Sequence, residues 1–465
     1  MPRTTRPRLY LHIGEPKTGT TFVQEAIWEN RARLASQGIL LPGYSVEDHF
    51  RASRDLRGAQ RMPSDPAPRW EGDWDVLIRQ ALLAPEAALI SNELLVACRP
   101  NQADQAVRSL DSAEVHIIVT LRDIAHVLPA EWQEAVKWRD TVTWEDWLDE
   151  VVRTAPAADR RRQSWFWTMH GTLANLAMWS RHIPPDFVHV ITLPQHGPTD
   201  ALWARFASVI GIEPGSVDLP RERLNASLGL VEAEFLRRLN GALPAEIPEW
   251  FYTRDIRRVL VPDALRIRPE QARLVLPPSV EAWAREQSEV LVAGLRDSKY
   301  HIVGDLTDLL SEPGTSSYVS PAELPAYQLL DAAVQVASAL VHRNYRDKYA
   351  ADPQEQGSRG LRQRISGLEW AVLNGPLTRR RLRNASQFAA IRRLRVTIWR
   401  VLMHPRRQRR ADRPGGTLRP SIGRPALPGS HPNGRRSITI KLPSPRRSSP
   451  AEEISSEVVS QDDHS

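Results

Sequence analysis

Residues 9–24 read LYLHIGEPKTGTTFVQ, and the fold turns on how this stretch is read. An apolar run of strand composition, residues 9–13, meets a turn rich in Gly, Pro, Lys and Thr. A helical pattern follows, with apolar residues at Phe22, Val23, Ala26, Ile27 and Leu34. Strand, loop and helix in that order aim the backbone N–H groups of residues about 16–21 at one point. The positive end of the helix, worth roughly half a charge, lies there too. An anionic group belongs at that point. Gly14 and Gly19 let the backbone come close to it, Lys17 adds a full charge, and Thr20 and Thr21 add hydroxyl donors.

In a Walker A loop the lysine directly follows the second glycine. Here Gly19 is followed by Thr20 and the lysine stands two residues before it, which speaks against an ordinary nucleoside triphosphatase. The string Pro16-Lys17-Thr18-Gly19-Thr20-Thr21, set directly after a first strand and before a helix, resembles the 5′-phosphosulfate loop of sulfotransferases. Those enzymes use 3′-phosphoadenosine 5′-phosphosulfate (PAPS) as co-substrate. The resemblance spans about residues 7–305 and has the form of a divergent, actinobacterial-type bacterial branch. It implies that Lys17, Thr18, Gly19, Thr20 and Thr21 hold the 5′-phosphosulfate.

Two further strand ends matter. Residues 87–90 are apolar and end in Ser91-Asn92-Glu93; in an open parallel sheet this end falls on the same edge as the loop, so Glu93 is a candidate base or, equally, an N-cap or surface carboxylate. In the family this strand often ends in a His or Glu that takes the acceptor's proton. Residues 115–121 (VHIIVTL) form the clearest buried strand and end in Arg122-Asp123. The family carries an Arg at this place in an R-D-P motif, with a Ser eight residues later, and the two hold the 3′-phosphate. Arg122 and Asp123 match, whereas Ile124 replaces the proline and Ala130 the serine; Gln133, Lys137 or a backbone donor are the candidates to stand in. The turn Leu193-Pro194-Gln195-His196 departs from the family's Tyr-Glu-Asp-Leu-like turn, so its adenine contacts do not transfer. In residues 221–229 (RERLNASLG), Arg221, Arg223, Asn225 and Ser227 either reach the nucleotide or, as Asn225 or Ser227, cap a helix over 228–239. The segment 44–74 reads as loop and short helix, with His49, Arg51, Arg54 and Asp55 as acceptor contacts or as a solvated surface.

Composition bounds the rest. At 465 residues and 41% hydrophobic content the chain can bury one large core and carry appended segments. No run of 18 apolar residues occurs and the N-terminal MPRTTRPR lacks the apolar core of a signal peptide, so the expectation is a cytoplasmic protein without a transmembrane segment, peripheral to the membrane at most. A lone cysteine, Cys98, rules out an internal disulfide and a Cys-built metal site. His12, His116 and His189 lie in strand patterns, no metal-ligand spacing is present, and no metal is expected. The formal charge of +7 is uneven: residues 376–448 hold 20 Lys/Arg against Asp412 alone, which is +19, and residues 449–465 hold five acids, which is −5, so residues 1–375 carry −7.

The expected fold is α/β, a three-layer sandwich of the P-loop type: a central parallel sheet of four or five strands with helices on both faces. A C-terminal helical extension and a disordered basic tail follow. Residues 7–310 form the sulfotransferase-like catalytic domain, 321–405 a helical extension, and 406–465 a tail without periodicity. Within 379–410, residues 388–403 place Phe388, Ile391, Leu394, Ile398, Trp399 and Leu402 on one face, flanked by arginines. Such a helix suits adsorption to an anionic membrane surface, or packs back on the catalytic domain; nucleic acid is not the expected partner. The function expected from the resemblance is transfer of the PAPS sulfuryl group to a hydroxyl or amine of a carbohydrate, lipid head group or small metabolite. Lys17 and Glu93 would be its catalytic residues and Arg122 the reader of the 3′-phosphate. The rivals are a P-loop nucleotide kinase and a non-catalytic nucleotide-binding adaptor at a membrane surface.

Overall fold

The structure, a computed structural model, describes residues 6–58, 71–155, 163–196, 198, 200–220, 227–266, 272–311 and 317–346. Six parallel strands form one sheet: β1 (Arg8–His12), β2 (Ile39–Leu40), β3 (Ala87–Ser91), β4 (Glu114–Leu121), β5 (Val188–Thr192) and β6 (His301–Val303), in the spatial order β2-β3-β1-β4-β5-β6. The expected four or five strands thus become six. The extra strand, β6, is three residues long, too short for an alternation to show in the sequence.

Every strand pairs in parallel, so each must be followed by a crossover that lays helix on a sheet face. In chain order the helices are α1 (Thr20–Glu29), α2 (Arg31–Ser36), α3 (Val46–Leu56), α4 (Asp73–Ala81), α5 (Pro100–Arg108), α6 (Ile124–Lys137) and α7 (Trp144–Arg153). Then come α8 (Trp165–His170), α9 (Thr172–Trp179), α10 (Ala201–Ile210), α11 (Leu230–Ala242), α12 (Glu249–Phe251), α13 (Pro278–Asp297) and α14 (Ala326–Tyr345), with a π-helical segment, Tyr252–Leu265, directly after α12. The strand period of two splits β1 between the two faces. Leu9 and Leu11, with Ile13 just past the strand end, pack with α3, α4, α5, α9 and α13, while Tyr10 packs with α1, α2 and α10. Helices cover both faces.

A third apolar cluster lies off the sheet. It joins α6, α7, α8, α11, the π segment and α14, with Trp132 and Trp144 fully buried in it. Each such ring contributes on the order of 2–3 kcal/mol by burial. This cluster fixes the outer side of α6, which carries several of the charges described below.

Local details differ from the sequence reading where one residue decides them. Helices α8 and α9 are divided at Gly171, where any side chain would be crowded, since a Cβ there would sit 2.6 Å from the carbonyl oxygen of Trp167. The helix expected over 228–239 begins at Leu230 with Gly229 as its cap, so Ser227 does not cap it, and Asn225 lies outside the described residues. The helix expected from 321 begins at Ala326 after a single turn at Pro321–Glu323. Arg221, Arg223, the basic piece 379–410 and the tail 406–465 also lie outside the described residues. Among the described residues no helix is long and apolar enough to cross a membrane.

Candidate active site

β1, β3 and β4 are neighbours, and the chain reverses its strand order about β1, so their carboxyl ends border the crevice where ligands bind in open sheets. The loop residues 13–19 leave β1 there, Glu93 leaves β3, and Arg122 leaves β4.

The loop is held from beneath. Glu15 N donates to Thr120 O at 3.0 Å, and Thr120 N to Gly14 O at 2.7 Å. The buried Thr18 hydroxyl donates to Glu15 O at 2.5 Å and shares a 2.6 Å hydrogen bond with the Thr120 hydroxyl. Thr18 therefore locks the loop to β4, and only its amide is left for a ligand. Lys17 has φ 61° and Gly19 φ 88°. Left-handed backbone costs a non-glycine residue roughly 1–2 kcal/mol, a strain that persists only where the surroundings enforce it. A side chain at Gly19 would also collide with Cδ2 of Leu202. Pro16 has no N–H. The next five amides, those of Lys17, Thr18, Gly19, Thr20 and Thr21, have no hydrogen-bond acceptor among the described residues, and α1 has no side-chain cap. Thr20 is buried and Thr21 exposed.

Glu93 opens a short 3₁₀ turn, Glu93–Ala97, whose cap is Asn92: the Asn92 side chain accepts from Leu94 N at 3.2 Å. Glu93 is thus relieved of capping. Its backbone packs on the loop, since a Cβ at Gly14 would stand 3.4 Å from Glu93 O, and its Oε2 accepts from Gln24 of α1 at 2.8 Å. His49 is no substitute for it. This residue is 0% exposed, accepts from Ser91 N at 3.2 Å through Nδ1 and faces Pro42 O at 2.9 Å through Nε2, and burial holds its pKa down at about 4. Arg51 pairs with Asp48 and Asp73, and Asp55 accepts from the amides of Gly72 and Trp74, so these candidate acceptor contacts brace α3 against α4.

Arg122 has no hydrogen-bond or ion-pair partner among the described residues. Burial lowers its pKa, Asp123 counteracts this, and Arg273 adds a like charge. Asp123 itself caps α6, accepting from His126 N at 3.0 Å. A desolvated guanidinium beside a second one calls for an anion. Of the stand-ins for the missing serine at Ala130, Gln133 is committed elsewhere: both ends of its amide bond the backbone of Leu228, at 3.0 Å each.

Two groups absent from the sequence reading border the loop. Glu134, on α6, is 2.9 Å from Lys17 Nζ, 3.3 Å from Lys137 Nζ and 3.2 Å from Arg257 Nη2. Burial alone would raise its pKa, but these cations outweigh that and bring it to about 2, which disqualifies it as a base at neutral pH. The second group is Glu15, His170 and Glu131. Glu15 accepts from Thr172 Oγ1 at 2.6 Å and lies 3.4 Å from His170 Nδ1, while His170 Nε2 lies 3.3 Å from Glu131. Burial would lower the His170 pKa, yet the two carboxylates outweigh it and hold it at about 9, so the imidazole is a buried cation under the loop. The only sequence signal for these groups was a Glu inside the loop motif and the Glu134/Lys137 spacing, both ordinary in isolation.

No protein-family model matches the chain, and no curated protein matches it. Among solved structures, the crystal structure of a sulfotransferase from Alicyclobacillus acidocaldarius aligns with 48% of this chain and 87% of that chain, at 14% sequence identity and a TM-score of 0.28.

Proposed function

We propose that the chain is a sulfotransferase that uses PAPS. The observation that carries this reading is the run of five amides, Lys17 to Thr21, without an acceptor among the described residues, at the positive end of α1 and in a loop whose lysine precedes the second glycine. The same reading gives Arg122, which has no partner among the described residues and stands at the end of the adjacent strand, a second anion to hold. A nucleotide with a 5′-phosphosulfate and a 3′-phosphate meets both demands.

In this reading the acceptor oxygen or nitrogen attacks sulfur in line, the bond from sulfur to the bridging oxygen breaks, and adenosine 3′,5′-bisphosphate leaves. Lys17 and the loop amides neutralise charge building on the bridging oxygen and the phosphate. Glu93 takes the acceptor's proton at its carboxylate, held toward the loop by Gln24. His170 and Glu15 hold the underside of the loop in place.

Ala130 favours a second reading, a nucleotide-binding adaptor that transfers nothing. Incubation of the full chain with sulfur-35-labelled PAPS and fractionated cell extract separates the two. Label passing to an acceptor supports the transferase; retained PAPS binding with no labelled product over any fraction supports the adaptor.

A further inference from the structure

Arg122 leaves the carboxyl end of β4, and α6 begins two residues later. Residues 124–130, the first two turns of that helix, read IAHVLPA, and only His126 among them has a polar side chain. Its place is fixed by Asp123. That carboxylate is 1% exposed; it accepts from His126 N at 3.0 Å, and its two oxygens lie 2.9 and 2.8 Å from His126 Nδ1. A carboxylate at this distance requires the proton on Nδ1, so Nδ1–H donates and Nε2 is the nitrogen left over. The side chain is 49% exposed, and Nε2 has no partner among the described residues.

Asp123 also faces Arg122, whose guanidinium feels its charge but takes no hydrogen bond from it. The carboxylate is committed to His126. Two side chains at the start of α6 therefore keep nitrogens for a ligand, one guanidinium and one imidazole, on either side of a single buried acid. Beside them the amides of Ile124 and Ala125 have no acceptor among the described residues, while those of His126 and Val127 are spent on Asp123. The other nitrogen-bearing side chains of α6 are engaged farther along. Trp132 donates to Val142 O, Gln133 to Leu228 O, and Lys137 to Glu134 in the last turn, about 20 Å from Ile124 at 1.5 Å per residue. A phosphate monoester, with three acceptor oxygens and close to two charges, suits a guanidinium and an imidazole set side by side.

We propose that His126 is a specificity residue for the nucleotide: together with Arg122 it seats the 3′-phosphate, Nε2 donating to a phosphate oxygen while Asp123 holds Nδ1. The proton on Nε2 is taken up from water as the phosphate arrives, and no covalent bond changes. The imidazolium so formed lies between two anions, which favour its charge. This inference rests on the sulfotransferase reading and adds to it a residue that separates a 3′-phosphorylated nucleotide from one without that group.

The test is calorimetric titration of the full chain, wild type and His126→Ala, with adenosine 3′,5′-bisphosphate and with adenosine 5′-monophosphate. The variant keeps the backbone N–H that Asp123 caps, so its thermal midpoint should stay close to that of the wild type. The bisphosphate is expected to bind at least about tenfold more weakly to the variant, and the monophosphate within about twofold of the wild type. A second measurement needs no variant: acylation of His126 by diethyl pyrocarbonate in the wild type, followed by mass spectrometry of the peptide, should slow under saturating bisphosphate and not under saturating monophosphate. Equal changes in affinity for the two ligands, or acylation of His126 at the same rate with either, overturn the inference and leave the sulfotransferase reading standing. A wild type that does not bind the bisphosphate removes the reading itself.

Discussion

Lys17 Nζ lies 2.9 Å from Glu134 Oε2, although 117 residues separate them in the chain. The pair ties the loop after β1 to the last turns of α6, and Glu134 shares its carboxylate with Lys137 and Arg257. Lys17 is thereby held in place at the loop, and in the proposed transferase a charge fixed in advance is the form that contributes most to a transition state. Lys17→Ala is expected to lower turnover about 100- to 1,000-fold with an unchanged circular dichroism spectrum. Wild-type turnover in this variant would remove the loop lysine from the mechanism.

Arg122→Ala is expected to weaken adenosine 3′,5′-bisphosphate by at least about tenfold more than adenosine 5′-monophosphate, because its guanidinium is proposed to read only the 3′-phosphate. Calorimetric titration of both ligands measures the difference. Equal losses would make Arg122 a structural residue.

Glu93→Gln is expected to keep nucleotide affinity and lose turnover, since the amide preserves shape but cannot take a proton. Slow residual transfer should speed up with acceptors of lower pKa. Normal turnover would move the base elsewhere, and His49, sealed between Pro42 and Ser91, is not where it would go.

His170 makes stability depend on pH. Its folded-state pKa is raised from 6.5 to about 9 by Glu131 and Glu15 against the opposing effect of burial. The charged imidazole therefore contributes stability that is complete below about pH 6.5 and is lost as pH rises through about 9. The midpoint difference between wild type and His170→Gln should shrink steadily from pH 7 to 9.5. A difference constant over that range would show that His170 does not carry its proton in the fold.

What the sequence made legible was local. The loop and its flanking strand and helix, the runs that became β3, β4 and β5, and the placement of Glu93 and Arg122 at strand ends all follow from apolar periods and turn residues within a dozen positions. What it hid depends on distant packing. Nothing near Glu134 in the chain announces Lys17 or Arg257, and Glu15 reads as a loop residue until Thr172 and His170 are brought beneath it. In the sequence His49 reads as an acceptor contact or as part of a solvated surface; it is buried because the loop after β2 and the end of β3 offer it two backbone partners. Thr18, one of a row of similar hydroxyls in the motif, turns inward to Thr120 while Thr21 stays at the surface.

The most direct measurement of the central claim is calorimetric titration of the full chain with adenosine 3′,5′-bisphosphate beside ATP, each with and without magnesium. The bisphosphate should bind at least about tenfold tighter than ATP, with no need for the metal. Tighter binding of magnesium–ATP, or no binding of the bisphosphate, would contradict the assignment of this loop to PAPS.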